Sequence, residues 1–288
     1  MQKSIRSESS LLCNAKAVYY PNPDGSLRLA RVQVFDSPRF KPLGWEALSN
    51  DHSSKGISAC EDPDVGEDPE DEDGKRASDL ARSVRRARRN AFDLIMCNPD
   101  LNAFATFTYS PDVVADKSDY GECYKYLRSW LSNGVQRDDL KYICVPELTK
   151  AGDVHFHAIA NGEGLRLNEA RSAKSGRLLR HNGDQVYNIA NWGAGFSTAQ
   201  LIRRRGEFDD PREAVAKYIF KYMGKNFGAK IGGRYMLHGG KMAHPLLAYG
   251  DGVEQFADEA DLEQAVQYSV DLGEGGKYWE YDFLHVGR

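Results

Sequence analysis

The sequence has no apolar run long enough to cross a membrane, and its first residues, MQKSIRSESS, hold no apolar signal core. Both absences make the cytoplasm the expected location, which is the bacterial host's cytoplasm if a phage encodes the chain. Cysteines are few, odd in number and scattered (Cys13, Cys60, Cys97, Cys123, Cys144), with no CxxC pair. That excludes a zinc ribbon and a disulfide framework and fits a reducing compartment. GxxxxGK[ST] is absent: Gly239-Gly240-Lys241 lacks the first glycine and the hydroxyl, so no P-loop motor is built in. No internal repeat is present.

What is there suits a globular chain. Its 288 residues are 41% hydrophobic and 11% aromatic, enough for one sizeable core with elaborations. The net charge of −4 hides an asymmetry. The stretch Glu61–Asp73 (EDPDVGEDPEDED) carries nine acidic side chains and no basic one, and setting it aside turns −4 into +5. A mildly basic remainder permits a nucleic-acid partner.

Along the chain, Ala17–Tyr20 and Ala30–Val34 read as paired strands around the turn-forming Pro21-Asn22-Pro23-Asp24-Gly25. Residues 1–36 are thus a hairpin segment, and 37–76 a polar, finally acidic connection too poor in apolar surface to offset its ordering entropy. Leu80, Val84, Ala87, Ala91 and Leu94 recur at helical spacing within 77–97. The opposite face holds Arg82, Arg85, Arg86, Arg88 and Arg89, either a solvated face or a set of phosphate contacts. A strand is expected over 103–109, and a helix over 120–133 with Cys123, Leu127, Trp130 and Leu131 inward and Asn133-Gly134 as its stop. Residues 140–146 and 154–160 read as a hairpin, 198–204 as a helix and 212–224 as a longer one. The main domain is expected over 77–250, and an acidic, weakly patterned tail over 251–288. Strand, helix, hairpin and helix together indicate an α+β fold.

Two segments carry chemistry. On a strand His155 and His157 share one face, with Phe156 on the other, so their imidazoles lie about 7 Å apart. A hairpin turn centred on Ala151 sets Glu147 opposite His155, on that same face. Two nitrogens and a carboxylate suit Mn²⁺ or Mg²⁺ with positions left for phosphate oxygens. HxH also occurs with both rings merely exposed or hydrogen-bonded. In Lys217–Lys225 (KYIFKYMGK), Tyr218 and Tyr222 are one helical turn apart, and Lys221 and Lys225 each follow a tyrosine by three residues. A phenol with a reference pKa near 10 needs such help to become a nucleophile. The same pattern also suits an amphipathic helix with packed tyrosines and solvated lysines.

In this order the segments resemble the HUH endonuclease superfamily, specifically rolling-circle replication initiator (Rep) proteins of small single-stranded DNA phages and related plasmids. Phe104-Ala-Thr-Phe-Thr-Tyr109 is similar to the first motif, His155-Phe-His157 to the metal-binding motif, and Tyr218-Ile-Phe-Lys221-Tyr222-Met-Gly-Lys225 to the two-tyrosine version of the third. Glu147 stands where several members have an acidic third ligand. The run ending in Asn90–Asn98, and Val186-Tyr187-Asn188 with Gly195-Phe196-Ser197, also look like phage members. The likeness covers roughly 77–250.

The resemblance implies a central antiparallel sheet bearing the metal motif, with helices on one side and the tyrosine helix nearby. It implies nicking and joining of single-stranded DNA at an origin through a 5′-phosphotyrosine. Glu147, His155 and His157 would hold the metal, Tyr218 and Tyr222 would act as nucleophiles, and Lys221 and Lys225 would stabilise charge. Either tyrosine satisfies the local pattern for the first attack. A host helicase and DNA polymerase are the implied partners, and Arg203, Arg204 and Arg205 join the helical arginines as candidate phosphate contacts. A transposase or relaxase with the same chemistry, a non-catalytic DNA-binding copy-control protein, and an unrelated metallohydrolase are the competing readings.

Overall fold

A computed structural model of the chain describes residues 13–38, 72–202, 211–225, 233–250, 265–271 and 276–283. They fall into two compact units, one drawn from both ends of the chain and one spanning Glu72–Ala243.

The first unit starts with the expected hairpin. Strands β1 (Ala15–Pro21) and β2 (Leu27–Phe35) pair antiparallel, and their turn is closed by Asn22 N–H to the Ser26 carbonyl at 2.8 Å. Three later strands complete the sheet: β12 (Leu246–Gly250), β13 (Val266–Asp271) and β14 (Lys277–Asp282), in the order β12-β1-β2-β14-β13. Two boundaries drawn from sequence therefore move. Residues 246–250 pair with β1 rather than with the central domain, and the segment after Gly250 holds two strands. The period-2 pattern of Val266, Tyr268 and Val270 was present, but the acidic residues around it outweighed it. Ala15, Ala17, Tyr19, Val32 and Ala248 form this unit's core. Within the sheet Gln33 donates from its side-chain amide to the buried Glu280 carboxylate at 2.6 Å.

The second unit opens with α1 (Glu72–Cys97), five residues earlier than the apolar periodicity places it. Its start falls on Glu72-Asp73, the end of the acidic run, where carboxylates favour a helix N-terminus. The rest of the expected connection, 39–71, lies outside the described residues. Then follow β3 (Ala103–Phe107), α2 (Tyr120–Arg137), β4 (Tyr142–Leu148), β5 (Val154–Ala160), β6 (Leu167–Glu169), β7 (Arg180–His181), β8 (Asp184–Gln185), β9 (Tyr187–Ile189), β10 (Ser197–Leu201), α3 (Pro211–Lys225) and β11 (Leu237–Gly239). Seven of these strands form one antiparallel sheet in the order β11-β4-β5-β3-β10-β9-β6. The fold is α+β.

Two sequence expectations change here. Residues 197–201 are a strand paired along its whole length with β3, although 198–204 was expected to be helical. Five residues of mixed Thr, Ala, Gln and Leu carry no decisive period, and the open edge of β3 supplies hydrogen bonds that an isolated helical turn cannot match. The second change is in α2, which runs three residues past Gly134. Its start is capped by Asp119, whose carboxylate accepts from the amides of Gly121 and Glu122. Gly134 is buried inside the helix, and a Cβ there would stand 2.8 Å from Leu140 Cδ2. The residue is a contact requirement, not a stop.

Helices cover both faces of the sheet, where one side was expected. On one face Cys123, Leu127 and Leu131 of α2 pack against Ala105, Phe107, Cys144, Phe156 and Ala158. On the other, Ala91, Leu94 and Ile95 of α1 and Ala216, Ile219 and Met223 of α3 pack against Ile143, Val145 and Ile159. Alternation along β5 sends Val154, Phe156 and Ala158 to the α2 face and His155, His157 and Ile159 to the α1–α3 face. Cys13, Cys97, Cys123 and Cys144 are buried free thiols, and Cys60 lies outside the described residues. Among the described residues no helix is long and apolar enough to cross a membrane.

Candidate active site

The β4–β5 hairpin fixes the first part of the site. Thr149 N–H donates to the Asp153 carbonyl at 2.9 Å, Gly152 N–H to the Thr149 carbonyl at 3.0 Å, and the register sets Glu147 directly across from His155. The Glu147 carboxylate reaches diagonally and contacts His157 Nε2, and both side chains are buried. On the other side of the imidazole, Nδ1 shares a hydrogen bond with Thr106 Oγ1 at 3.1 Å, because β3 lies beside β5 with Thr106 opposite His157. A carboxylate on one ring nitrogen and a hydroxyl on the other fix the plane of the ring.

The second part comes from α3. The ring of Tyr222 stacks on His157 with centroids 3.8 Å apart, and Phe104 of β3 stacks on the same imidazole at 5.7 Å. Phe104 also meets the Tyr218 ring edge-on at 4.3 Å, and the two tyrosine rings are 5.7 Å apart. Helical spacing puts both tyrosines on the sheet-facing side, but it does not make them equivalent. Tyr218 is 46% exposed and Tyr222 only 8%. Burial pushes the Tyr222 phenol well above the usual range, and the Tyr218 hydroxyl and the Glu147 carboxylate push it further. Lys221 is exposed, with its ammonium 5.9 Å from the centroid of the Tyr222 ring. The Lys225 side chain lies outside the described residues.

His155 is half-buried on the same face. Burial lowers its pKa, opposed by Glu147 and Asp153 and reinforced by Lys117, so the neutral imidazole is favoured. Asp153 is itself paired with Lys117 at 2.7 Å. Among the described residues no three His, Cys, Asp or Glu side chains stand close enough together to hold an ion as they are. The donor chemistry nonetheless suits a divalent cation: one carboxylate, two imidazoles, and an outer hydroxyl that orients one ring, with Glu147 and His157 already in contact.

The remaining candidates are more scattered. Arg88 is half-buried and donates to the Phe220 carbonyl of α3 at 3.5 Å, so it is not a free phosphate contact. Arg85 and Arg86 are exposed, Arg82 and Arg89 partly so. Arg203, Arg204 and Arg205 lie outside the described residues. Sequence reasoning missed Thr106 and the individual role of Phe104. Alternation along 103–109 puts them on one face, but nothing local says that β3 lies beside β5.

Residues 102–227 match the family model for replication-associated proteins of the ORF2 type. The matched span is less than half of the chain. It begins one residue before β3, ends two after α3, and contains Thr106, Glu147, His155, His157, Tyr218, Lys221, Tyr222 and Lys225. No curated protein and no solved structure matches the chain.

Proposed function

We propose that this protein initiates rolling-circle replication by nicking and rejoining single-stranded DNA at an origin through a tyrosyl phosphodiester. The observation that carries the reading is the convergence, inside the segment that matches replication-associated proteins, of the Glu147–His157 pair with two tyrosines of α3. A divalent cation, Mg²⁺ or Mn²⁺, held by Glu147, His155 and His157 would supply Lewis-acid polarisation of the scissile phosphate.

The chain's own groups do the rest. Tyr218, the exposed phenol, attacks phosphorus. The new Tyr218 Oη–P bond replaces the P–O bond to the 3′ oxygen, giving a 5′-phosphotyrosine and a free 3′-OH. The phenolic proton passes to solvent and the departing 3′ oxygen takes one up. Lys221, one turn along, offsets the charge that develops on phosphate. Tyr222 is withdrawn against His157 and becomes the nucleophile of the later joining step once that stack opens. Its attack on the second origin copy releases the first strand's 3′ end for ring closure on the Tyr218 phosphodiester. The free 3′-OH serves a host polymerase, and a host helicase supplies the unwinding that the chain has no P-loop to drive.

Thr106 is a positioning residue for His157. Thr106→Val keeps the shape and removes the hydroxyl, and should lower single-turnover cleavage about 10- to 100-fold, the usual cost of losing an outer partner of a metal-binding imidazole. Raising the Mn²⁺ concentration should recover part of the loss, an effect that a purely structural defect would not produce.

One gel tests the proposal. A labelled single-stranded origin oligonucleotide is incubated with the protein in Mn²⁺, in EDTA, and with the Tyr218→Phe/Tyr222→Phe double variant. The expected result is a covalent protein–DNA band in Mn²⁺ alone. Binding without an adduct, indifferent to EDTA, would indicate a copy-control protein instead. Metal-dependent turnover that survives loss of both tyrosines would indicate an unrelated hydrolase.

A further inference from the structure

Between β6 and β9 the chain leaves the sheet and forms a small arm over residues 170–186. Its short extended segments are tied by Leu179 N–H to the Ala170 carbonyl (2.8 Å), Val186 N–H to the Leu179 carbonyl (2.9 Å) and Ser172 N–H to the Arg177 carbonyl (2.9 Å). The β7–β8 turn is Asn182-Gly183, with φ of 50° and 85°, the conformation a tight two-residue hairpin requires. The arm is therefore a defined element. It carries Arg171, Lys174, Arg177 and Arg180 against the single carboxylate of Asp184, in a chain whose net charge is −4.

These cations divide by role. Arg171 binds Glu169 at 2.8 Å and the Gly176 carbonyl, and Arg180 binds the Gly183 carbonyl at 3.0 Å, so both brace the arm. Lys174 and Arg177 are exposed, and neither side chain has a hydrogen-bond or ion-pair partner among the described residues.

The arm's position gives these charges a use. The His181 carbonyl accepts from the side-chain amide of Gln200 at 3.3 Å. Gln200 stands opposite Phe104, and Phe104 meets Tyr218 edge-on. From the arm to the exposed tyrosine is thus a chain of two side chains across the site's face of the sheet. Along β10 the same face continues through Thr198 to Phe196, about 13 Å from Gln200 by four strand rises. Phe196 is 61% exposed, and its carbonyl is held by the Thr108 amide at 2.9 Å and the Thr108 hydroxyl at 2.7 Å. A fixed, exposed aromatic ring at one end and unpaired cations at the other are the two components of a single-stranded nucleic-acid track: stacking for bases, charge for phosphates.

We propose that single-stranded DNA lies along the β10 flank of the site, its backbone on Lys174 and Arg177 and a base on Phe196, and that this track delivers the scissile phosphate to Tyr218. The inference rests on the strand-transfer reading above and identifies where the substrate binds. It is tested in the full chain carrying Tyr218→Phe/Tyr222→Phe, so that no chemistry intervenes. Binding of a fluorescein-labelled, mixed-sequence single-stranded oligonucleotide is followed by anisotropy over a series of NaCl concentrations.

Lys174→Ala/Arg177→Ala should flatten the slope of log affinity against log salt by about 1.4, for two lost phosphate contacts, and weaken binding about tenfold or more at 0.1 M salt. Phe196→Ala should weaken binding about fivefold or more while leaving the slope unchanged. All three side chains are exposed, and circular dichroism verifies the fold of each variant. An unchanged salt slope in the arm variant overturns the track, and a rise in its affinity would assign the arm to the chain's own acidic Glu61–Asp73 run. Absence of any covalent adduct with the wild-type chain defeats the strand-transfer reading alone, because the salt slope still decides the track.

Discussion

Tyr218→Phe should abolish the first covalent protein–DNA adduct, whereas Tyr222→Phe should still form it and fail only in joining. The sequence treats the two residues alike; their surroundings separate them. Tyr218 is 46% exposed, touching Phe104 by its edge, while Tyr222 is 8% exposed and stacked on His157. A phosphate can approach the first phenol without rearrangement of the helix. Reaching the second requires the His157 stack to open, and burial raises the cost of forming its phenolate. Loss of a nucleophile typically removes on the order of 10³-fold or more of the rate. Each substitution keeps the ring, so packing against Phe104 and His157 persists and the fold is not at issue. The measurement is an adduct assay with a 5′-labelled and a 3′-labelled origin oligonucleotide, followed by a joining assay on the pre-formed adduct. Adduct yields reduced equally by the two substitutions would remove the division of labour, and an undiminished yield in Tyr218→Phe would transfer the first attack to Tyr222.

The second large effect concerns Glu147 and His157. Glu147→Gln preserves volume and one hydrogen bond to the imidazole but removes the charge that a cation would need. Single-turnover cleavage in Mn²⁺ should fall about 100-fold or more, with the unfolding midpoint little changed. His157→Ala should lose at least as much activity and, in addition, about 1–3 kcal/mol of stability, because the buried Glu147 carboxylate loses its imidazole. Stability is read from urea unfolding and cleavage from the same preparations. Wild-type cleavage by Glu147→Gln would falsify the metal-ligand role. The contrast between the variants also separates chemistry from packing, since only the alanine leaves a gap beneath Tyr222.

Local rules made part of this site legible. The turn centred on Ala151 fixed the pairing of Glu147 with His155, and strand alternation put His157 on their face. A helical repeat sufficed for α3. What local rules could not supply was strand order. That β3 lies against β5 decides that Thr106 holds His157 and that Phe104 lies beneath both tyrosines, and it follows from pairing between segments about fifty residues apart. The same ignorance made 198–204 look helical: its strand character comes from β3, not from its own residues. Arg88 shows the converse case, since charge alone suggested DNA while tertiary packing turned the side chain to α3. The arm at 170–186 escaped attention because short, turn-rich, exposed strands leave no hydrophobic period to detect.

The terminal sheet has a consequence for biosynthesis. β2 and β14 are neighbours in space, and the buried Gln33–Glu280 hydrogen bond joins residues 247 apart in the chain. At about 5–20 residues per second, the N-terminal hairpin waits on the order of 10–50 s on the ribosome for its partner strands. The central unit can close meanwhile from segments already made. An emerging hairpin with both edges unpaired needs protection in that interval, and termination of translation before β14 would leave the β2 edge permanently open, a route to aggregation. Completion of synthesis is thus written into the sheet itself: only a chain translated through β14 can cover both sides of its own first hairpin.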